Sequence, residues 1–249
     1  MGSKKRFKAF KSNKEDDELL KEDGIKITPT RNTEEYINWF PGHMNKAIKQ
    51  IQSKLKLVDI VLEIRDARTP YISKNIALDN AIGTKPKLIV FNKANLADPE
   101  ITALWKAKFE AEKIDFLFTN ALDTNAVKKI LENTRALIER NYKRENPTGE
   151  INKKQSVMII GLPNTGKSTL INRLSGRNAT RTANVPGHTQ TQQWIKLDQY
   201  FELLDTPGIM PPKIENKSDG LKLCAIYAIP SKIVSDEITA CFLADFLRD

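Results

Sequence analysis

Glycines, a lysine and hydroxyl side chains stand together in Gly161-Leu-Pro-Asn-Thr-Gly166-Lys167-Ser168, and residues of these types at this spacing suit the holding of phosphate groups. Small residues let backbone N–H groups converge on an anion. Lys167 supplies positive charge for the β and γ phosphates, and the Ser168 hydroxyl supplies a ligand for Mg²⁺. Asn164, Thr165, Gly166 and Thr169 complete the stretch expected to line a nucleotide. The flanking residues must position it: Ser156-Val-Met-Ile-Ile160 has the apolar character of a strand, and 168–174 that of a helix. The loop therefore falls at a strand-to-helix turn, where the helix N-terminus adds its own attraction for phosphate.

Downstream, the strand-like Tyr200-Phe-Glu-Leu-Leu204 runs into Asp205-Thr-Pro-Gly208. An acidic residue closing a buried strand suits an outer-sphere role beside Mg²⁺, and the Gly208 N–H suits a γ-phosphate contact. Between these two runs, Val185-Pro-Gly-His-Thr189-Gln-Thr191 is a polar loop before the strand-like Gln193-Trp-Ile-Lys-Leu197. Thr189 is the candidate for a switch residue that completes the Mg²⁺ shell when a γ-phosphate is present. A solvated Pro-Gly turn is the plainer alternative.

Upstream of the phosphate loop, Lys87-Leu-Ile-Val-Phe91 is strand-like and ends in Asn92-Lys93-Ala94-Asn95; Asp115-Phe-Leu-Phe-Thr119 ends in Asn120-Ala121-Leu122. Ligands of open α/β sheets bind at the carboxyl ends of strands, so Asn92, Lys93 and Asn95 are candidates for contacts to a base, with the backbone near Asn120 and Ala121 as a partner loop.

The base-contacting run thus precedes the phosphate loop. In this order, and with Trp39-Phe-Pro-Gly-His43-Met44, Asp66-Ala-Arg68, Gln192-Gln-Trp194 and Leu204-Leu-Asp-Thr-Pro-Gly-Ile209, the sequence from about residue 36 to 249 resembles the circularly permuted GTPases of the YlqF/RbgA family and their mitochondrial ribosome-associated counterparts. The resemblance implies an α/β fold: a P-loop NTPase G domain, mostly parallel and permuted, with flanking helices and a short helical C-terminal segment. It also implies GTP hydrolysis coupled to maturation of the large ribosomal subunit, with GTP and GDP, Mg²⁺, and the subunit and its rRNA as ligands and partners. A non-hydrolysing or base-altered G domain that docks on rRNA as a scaffold is the alternative.

Two positions bear on mechanism. The family's base motif ends in aspartate, which accepts from guanine N1–H and the 2-amino group; here Asn95 offers one acceptor and a donor. Either guanine recognition is weakened in favour of a xanthine base, or the loop and a water compensate. Ile209 stands where small GTPases carry a water-orienting glutamine, and an aliphatic side chain cannot do that work. The resemblance assigns the role to His43, for which helix capping is the alternative. It also offers Asn164 as a K⁺ ligand, against a loop-structuring role.

The chain has 249 residues, 40 Lys+Arg against 31 Asp+Glu, and a formal net charge of +9, which favours a polyanionic partner. Its two cysteines have no metal-ligand spacing and are expected to be reduced core residues of helices after residue 218. Residues 1–34, basic to Lys14 and then acidic, read as a disordered extension; 35–212 read as the G domain with a polar linker near 142–155, and 213–249 as a helical segment whose two helices cover 218–229 and 235–247. A helix is expected over 43–57, seated by Ala47, Ile48, Ile51 and Leu55, with Lys46, Lys49, Lys54 and Lys56 facing outward. No apolar run is long enough to span a membrane, leaving peripheral contact as the form of membrane association. A monomer is expected, in the mitochondrial matrix or peripheral to the inner membrane, with the bacterial cytoplasm as the alternative.

Overall fold

Strands buried on both faces carry continuous apolar runs, and three segments of this chain do so because helices cover them from either side. In the computed structural model, which describes residues 42–151, 153–176, 193–211, 214 and 216–248, these are β1 (Ile60–Asp66), β2 (Lys87–Asn92) and β4 (Gln155–Gly161). With β3 (Phe116–Phe118), β5 (Gln193–Lys196) and β6 (Phe201–Asp205) they form one six-stranded sheet in the order β3-β2-β1-β4-β6-β5. All neighbours are parallel except β5, which runs antiparallel to β6.

The order explains where the chain can bind. From β1 the strands progress outward through β2 to β3, and the chain then returns to lay β4 on the other side of β1. The switch point lies between β1 and β4, and the crevice at the carboxyl ends of such neighbours is where doubly wound sheets take ligands. The return uses α4 (Thr124–Glu145) and the connection 146–154. A single chain order that puts β2 before β4 can therefore still bring both of their carboxyl ends to one edge.

Side chains alternate across the sheet and divide the interior in two. Val61, Met158, Ile160 and Leu204 face a cluster with Ala47, Ile51 and Leu55, from α1 (Gly42–Lys54) and the 3₁₀ turn Leu55–Leu57, with Leu78 and Ile82 of α2 (Ile76–Ile82), and with Leu223 and Cys224 of α6 (Lys217–Ala225). Ile60, Leu62, Ile64, Val157 and Ile159 face the opposite cluster, closed by Val127, Ile130 and Leu137 of α4 and by Leu170, Ile171 and Leu174 of α5 (Lys167–Ser175). At the β3 edge, Phe91 stacks on Phe109 of α3 (Pro99–Ala111) and on Phe118, at centroid distances of 4.9 and 4.6 Å. Such aromatic stacks add to the area they bury. Helix α7 (Asp236–Phe246) ends the described chain.

The expected seat of the helix at 43–57 is present: Ala47, Ile51 and Leu55 are buried and Lys46, Lys49 and Lys56 exposed, with Lys54 half-buried. The cysteines differ from expectation, for Cys224 is buried but Cys241, on the outer side of α7, is exposed. The extension 1–34, the Trp39–Pro41 part of the N-terminal motif, and Thr189 lie outside the described residues. So does the side chain of His43, although its backbone belongs to the first turn of α1. No described helix is long and apolar enough to cross a membrane.

Candidate nucleotide site

Four strand ends meet at one edge: β4 delivers the 161–168 loop, β6 delivers Asp205 to Gly208, β2 delivers Asn92 and Lys93, and β1 delivers Asp66. The loop after β4 is shaped by sterics. Gly161 has φ +149°, and a Cβ there would lie 2.2 Å from the Ile64 carbonyl oxygen of β1. Gly166, at φ +92°, caps the start of α5; a Cβ would lie 2.2 Å from Asn92 Nδ2. No other residue fits either place without moving backbone or a buried amide. Gly208 completes the floor, since a Cβ on it would meet the Pro163 backbone at 2.8 Å and Lys167 Nζ at 3.1 Å.

Inside this cradle Lys167 is buried, with Nζ donating to the carbonyl oxygens of Leu162 (2.7 Å) and Gly161 (3.3 Å). Burial pushes its pKa down to about 8, the Asp205 carboxylate opposing and the Lys93 charge reinforcing that shift. A desolvated ammonium gains from a further anion brought beside it, which would favour its charged form. Asp205 is buried at the end of β6, while Ser168 and Thr169 are half-buried in the first turn of α5. Thr165 is buried, its hydroxyl donating to the Leu162 carbonyl at 3.0 Å, so it shapes the loop from within. Ile209 is fully buried among the core residues that include Ala47 and Ile51 of α1, and its carbonyl accepts from Asn75 Nδ2 at 2.8 Å.

The base-side residues are tied to the phosphate loop through one buried amide. Asn92 Nδ2 donates to the Thr165 carbonyl and its Oδ1 accepts from the Ala121 N–H, both at 2.9 Å. A single residue thus clamps the two loops predicted to flank a nucleotide. Lys93 has φ +61° and donates from Nζ to the Asn164 carbonyl at 2.6 Å while pairing with Asp66 Oδ2 at 3.0 Å. Asn164, at φ +56°, in turn donates from Nδ2 to the Tyr227 carbonyl at 2.7 Å, and Tyr227 itself has φ +60°. Left-handed backbone at non-glycine residues is costly and collects where a site is preorganised. Ala121 is buried; the Asn120 side chain accepts from the Leu122 N–H at 3.0 Å and so organises its own turn. Asn95, in the 3₁₀ turn Ala94–Leu96, is exposed.

Sequence reasoning gave no role to three parts of this arrangement, although it noted the Asp66-Ala-Arg68 motif of the first. Asp66 is fully buried and receives a two-pronged contact from Arg68, Nε to Oδ1 at 2.9 Å and Nη2 to Oδ2 at 2.8 Å. Burial opposes its ionisation, but the hydrogen bonds and charge of Arg68 and the charge of Lys93 prevail and hold the carboxyl below the usual carboxylate range. It is the anchor of Lys93, and an aspartate closing an apolar strand was the available signal. Tyr227 and Asn75 act through a carbonyl and a side chain from remote segments, for which the sequence carries no local sign.

A family model described as a 50S ribosome-binding GTPase matches residues 156–235. The chain is 40% identical over 213 residues to ribosome biogenesis GTPase A of Bacillus pumilus (strain SAFR-032), covering 86% of this chain and 76% of that protein. It is 36% identical over 218 residues to mitochondrial ribosome-associated GTPase 1 of Mus musculus, covering 82% and 65%. Among solved structures, the crystal structure of GNP-bound YlqF from T. maritima superimposes with a TM-score of 0.60 at 27% identity, over 81% of this chain and 74% of that one.

Proposed function

This chain belongs to the ribosome biogenesis GTPase A family of circularly permuted GTPases, and on that premise we propose that it binds GTP at the carboxyl edge of its sheet and hydrolyses it in the service of large ribosomal subunit assembly. The cradle in which Gly161, Gly166 and Gly208 leave no room for a Cβ around the buried ammonium of Lys167 carries the reading. Asn164, Thr165, Gly166, Ser168 and Thr169 surround the phosphates, Gly208 faces the γ-phosphate, and Asn92, Lys93, Asn95, Asn120 and Ala121 receive the base. The donor set suits Mg²⁺, with Ser168 and Thr189 as ligands and Asp205 in its outer shell. That ion would neutralise charge developing on the phosphate oxygens. K⁺ is proposed at Asn164, whose amide oxygen is a hard donor.

The nucleophilic water needs an orienting group, and Ile209 is turned into the core. His43 is proposed for that task. It lies in the first turn of α1, one turn before Ala47, and Ala47 packs in the same cluster as Ile209 and Met210. His43→Ala is expected to lower the turnover number about a hundredfold with GTP affinity retained, the scale of a lost general base.

The partner is the large subunit and its rRNA, approached by a basic monomer of net charge +9. The compartment is the one that builds bacterial-type subunits, the mitochondrial matrix or the bacterial cytoplasm. The G domain spans 35–212 with a helical segment at 213–249. Phosphate release from GTP, measured with and without purified large subunits, tests this reading. Slow turnover accelerated by subunits and abolished by Lys167→Ala is expected. Binding to subunits with no turnover under either condition would leave only a docking scaffold.

A further inference from the structure

Reading of the purine edge falls to one side chain. Asn92 is committed to Thr165 and Ala121, Lys93 to Asp66 and Asn164, and Asn120 to the Leu122 N–H. The two nearby carboxylates outside the β1 anchor are helix caps: Asp98 Oδ1 accepts from the Ile101 N–H at 2.9 Å and Asp123 Oδ1 from the Asn125 N–H at 2.8 Å. Asn95 is exposed, and nothing in the described structure engages its side chain. Among the described side chains of these two loops, the one left for a base to meet is an amide.

We propose that Asn95 selects the purine at C2 and makes xanthosine triphosphate, a 2-oxopurine nucleotide, a further substrate of this chain. The inference rests on the base site proposed above. Guanine offers N1–H beside a 2-amino group, two donors side by side. An amide answers with one acceptor, Oδ1, and a donor on Nδ2, so one donor faces another. Xanthine offers N1–H beside a C2 carbonyl, and the same amide matches both atoms. Hypoxanthine, bare at C2, neither clashes nor gains. Hydrolysis is unchanged: the water oxygen bonds to the γ-phosphorus as the bond to the β,γ-bridging oxygen breaks, giving XDP, inorganic phosphate and the water proton.

Calorimetric titration of the full chain, of Asn95→Asp and of Asn95→Ala with non-hydrolysable GTP, ITP and XTP analogues in Mg²⁺ buffer tests the assignment, with thermal melts as the check of folding. A hydrogen-bond mismatch changes affinity by on the order of tenfold or more. The XTP-to-GTP affinity ratio is therefore expected to fall at least about tenfold from the parent to Asn95→Asp, with ITP changing least and Asn95→Ala bringing GTP and XTP together. A parent that prefers GTP, with the ratio unchanged in Asn95→Asp, overturns the base choice and leaves the GTPase reading standing. Failure of all three analogues to bind either the parent or Asn95→Asp overturns both.

Discussion

At the phosphate end of the site, Gly161 and Gly166 leave no room for a Cβ and Lys167 is buried; at the base end, Asn95 is exposed and its side chain is unengaged. The first end is fixed by backbone sterics, the second by a few hydrogen bonds of asparagine side chains. Phosphate is common to every nucleoside triphosphate, so a rigid cradle for it costs nothing in selectivity. Choice among bases is left to side-chain atoms that can change without disturbing the sheet. Asn92 joins the two ends, and the Lys93–Asn164–Tyr227 relay extends the join to the turn after α6.

The largest test of that contrast is Gly166→Ala. A Cβ 2.2 Å from Asn92 Nδ2, at φ +92°, adds strain to a clash that the buried amide must absorb. A loss of about 3 kcal/mol or more of stability in urea unfolding is expected, together with loss of nucleotide binding. An alanine whose stability matched the parent would show the phosphate end to be far softer than described.

Asn92→Ala follows. It leaves the buried Thr165 carbonyl and Ala121 N–H without their partner, and about 2–3 kcal/mol of destabilisation is expected from two such orphaned groups. Asn95→Ala, at the same end but exposed, is expected to stay within about 0.5 kcal/mol of the parent. Equal losses at the two positions would erase the distinction between clamp and reader.

The titration of Lys167 gives an effect of intermediate size. Its native pKa, about 8, lies below the 10.5 of the free side chain, so between these values the unfolded chain holds a proton that the native chain lacks. The penalty for burying the ammonium is complete below pH 8 and disappears as pH rises toward 10.5, so the unliganded protein gains stability through that window. Triphosphate favours the charged form and reverses the preference. Affinity for GTP is expected to fall by up to about tenfold per pH unit above 8, with proton uptake on binding. Calorimetry in buffers of different ionisation enthalpy measures that uptake, and its absence at pH 9 would mean that the ammonium is already charged in the empty cradle.

The smallest effect is expected at the far end of the relay. Asn164→Ala removes a partly exposed hydrogen bond to the Tyr227 carbonyl, worth about 1 kcal/mol, and frees the turn after α6 from the phosphate loop. Hydrogen exchange at residues 226–228 should quicken in the variant. Unchanged exchange there would make the contact incidental to the turn.

The parts of this molecule that were legible beforehand are local in cause. The apolar run at 156–160 followed by Gly161 and Gly166 announces a strand and a turn that needs positive φ, and both are present. Asp98, an aspartate just before Pro99, has the residue type and place of a helix cap, and it caps α3. By contrast, nothing near Asn92 says that its amide will be consumed by loops 29 and 73 residues away. Exposure of Cys241 was misjudged because an apolar helical pattern does not tell which of its faces finds a partner.

The strands, the phosphate loop, the amide at position 95 and the inverted order of base and phosphate motifs are written in the residues, because each depends on residue type and short-range geometry. That the inverted order still brings both motifs to one edge follows from the fold. Laying β4 beside β1 brings the carboxyl ends of β1, β2, β4 and β6 to one edge. There Asp66 anchors Lys93, Asn75 holds Ile209 across 134 residues, and Asn164 meets Tyr227. Such contacts follow from strand order and sheet register, which are properties of the packed chain and of no single segment within it.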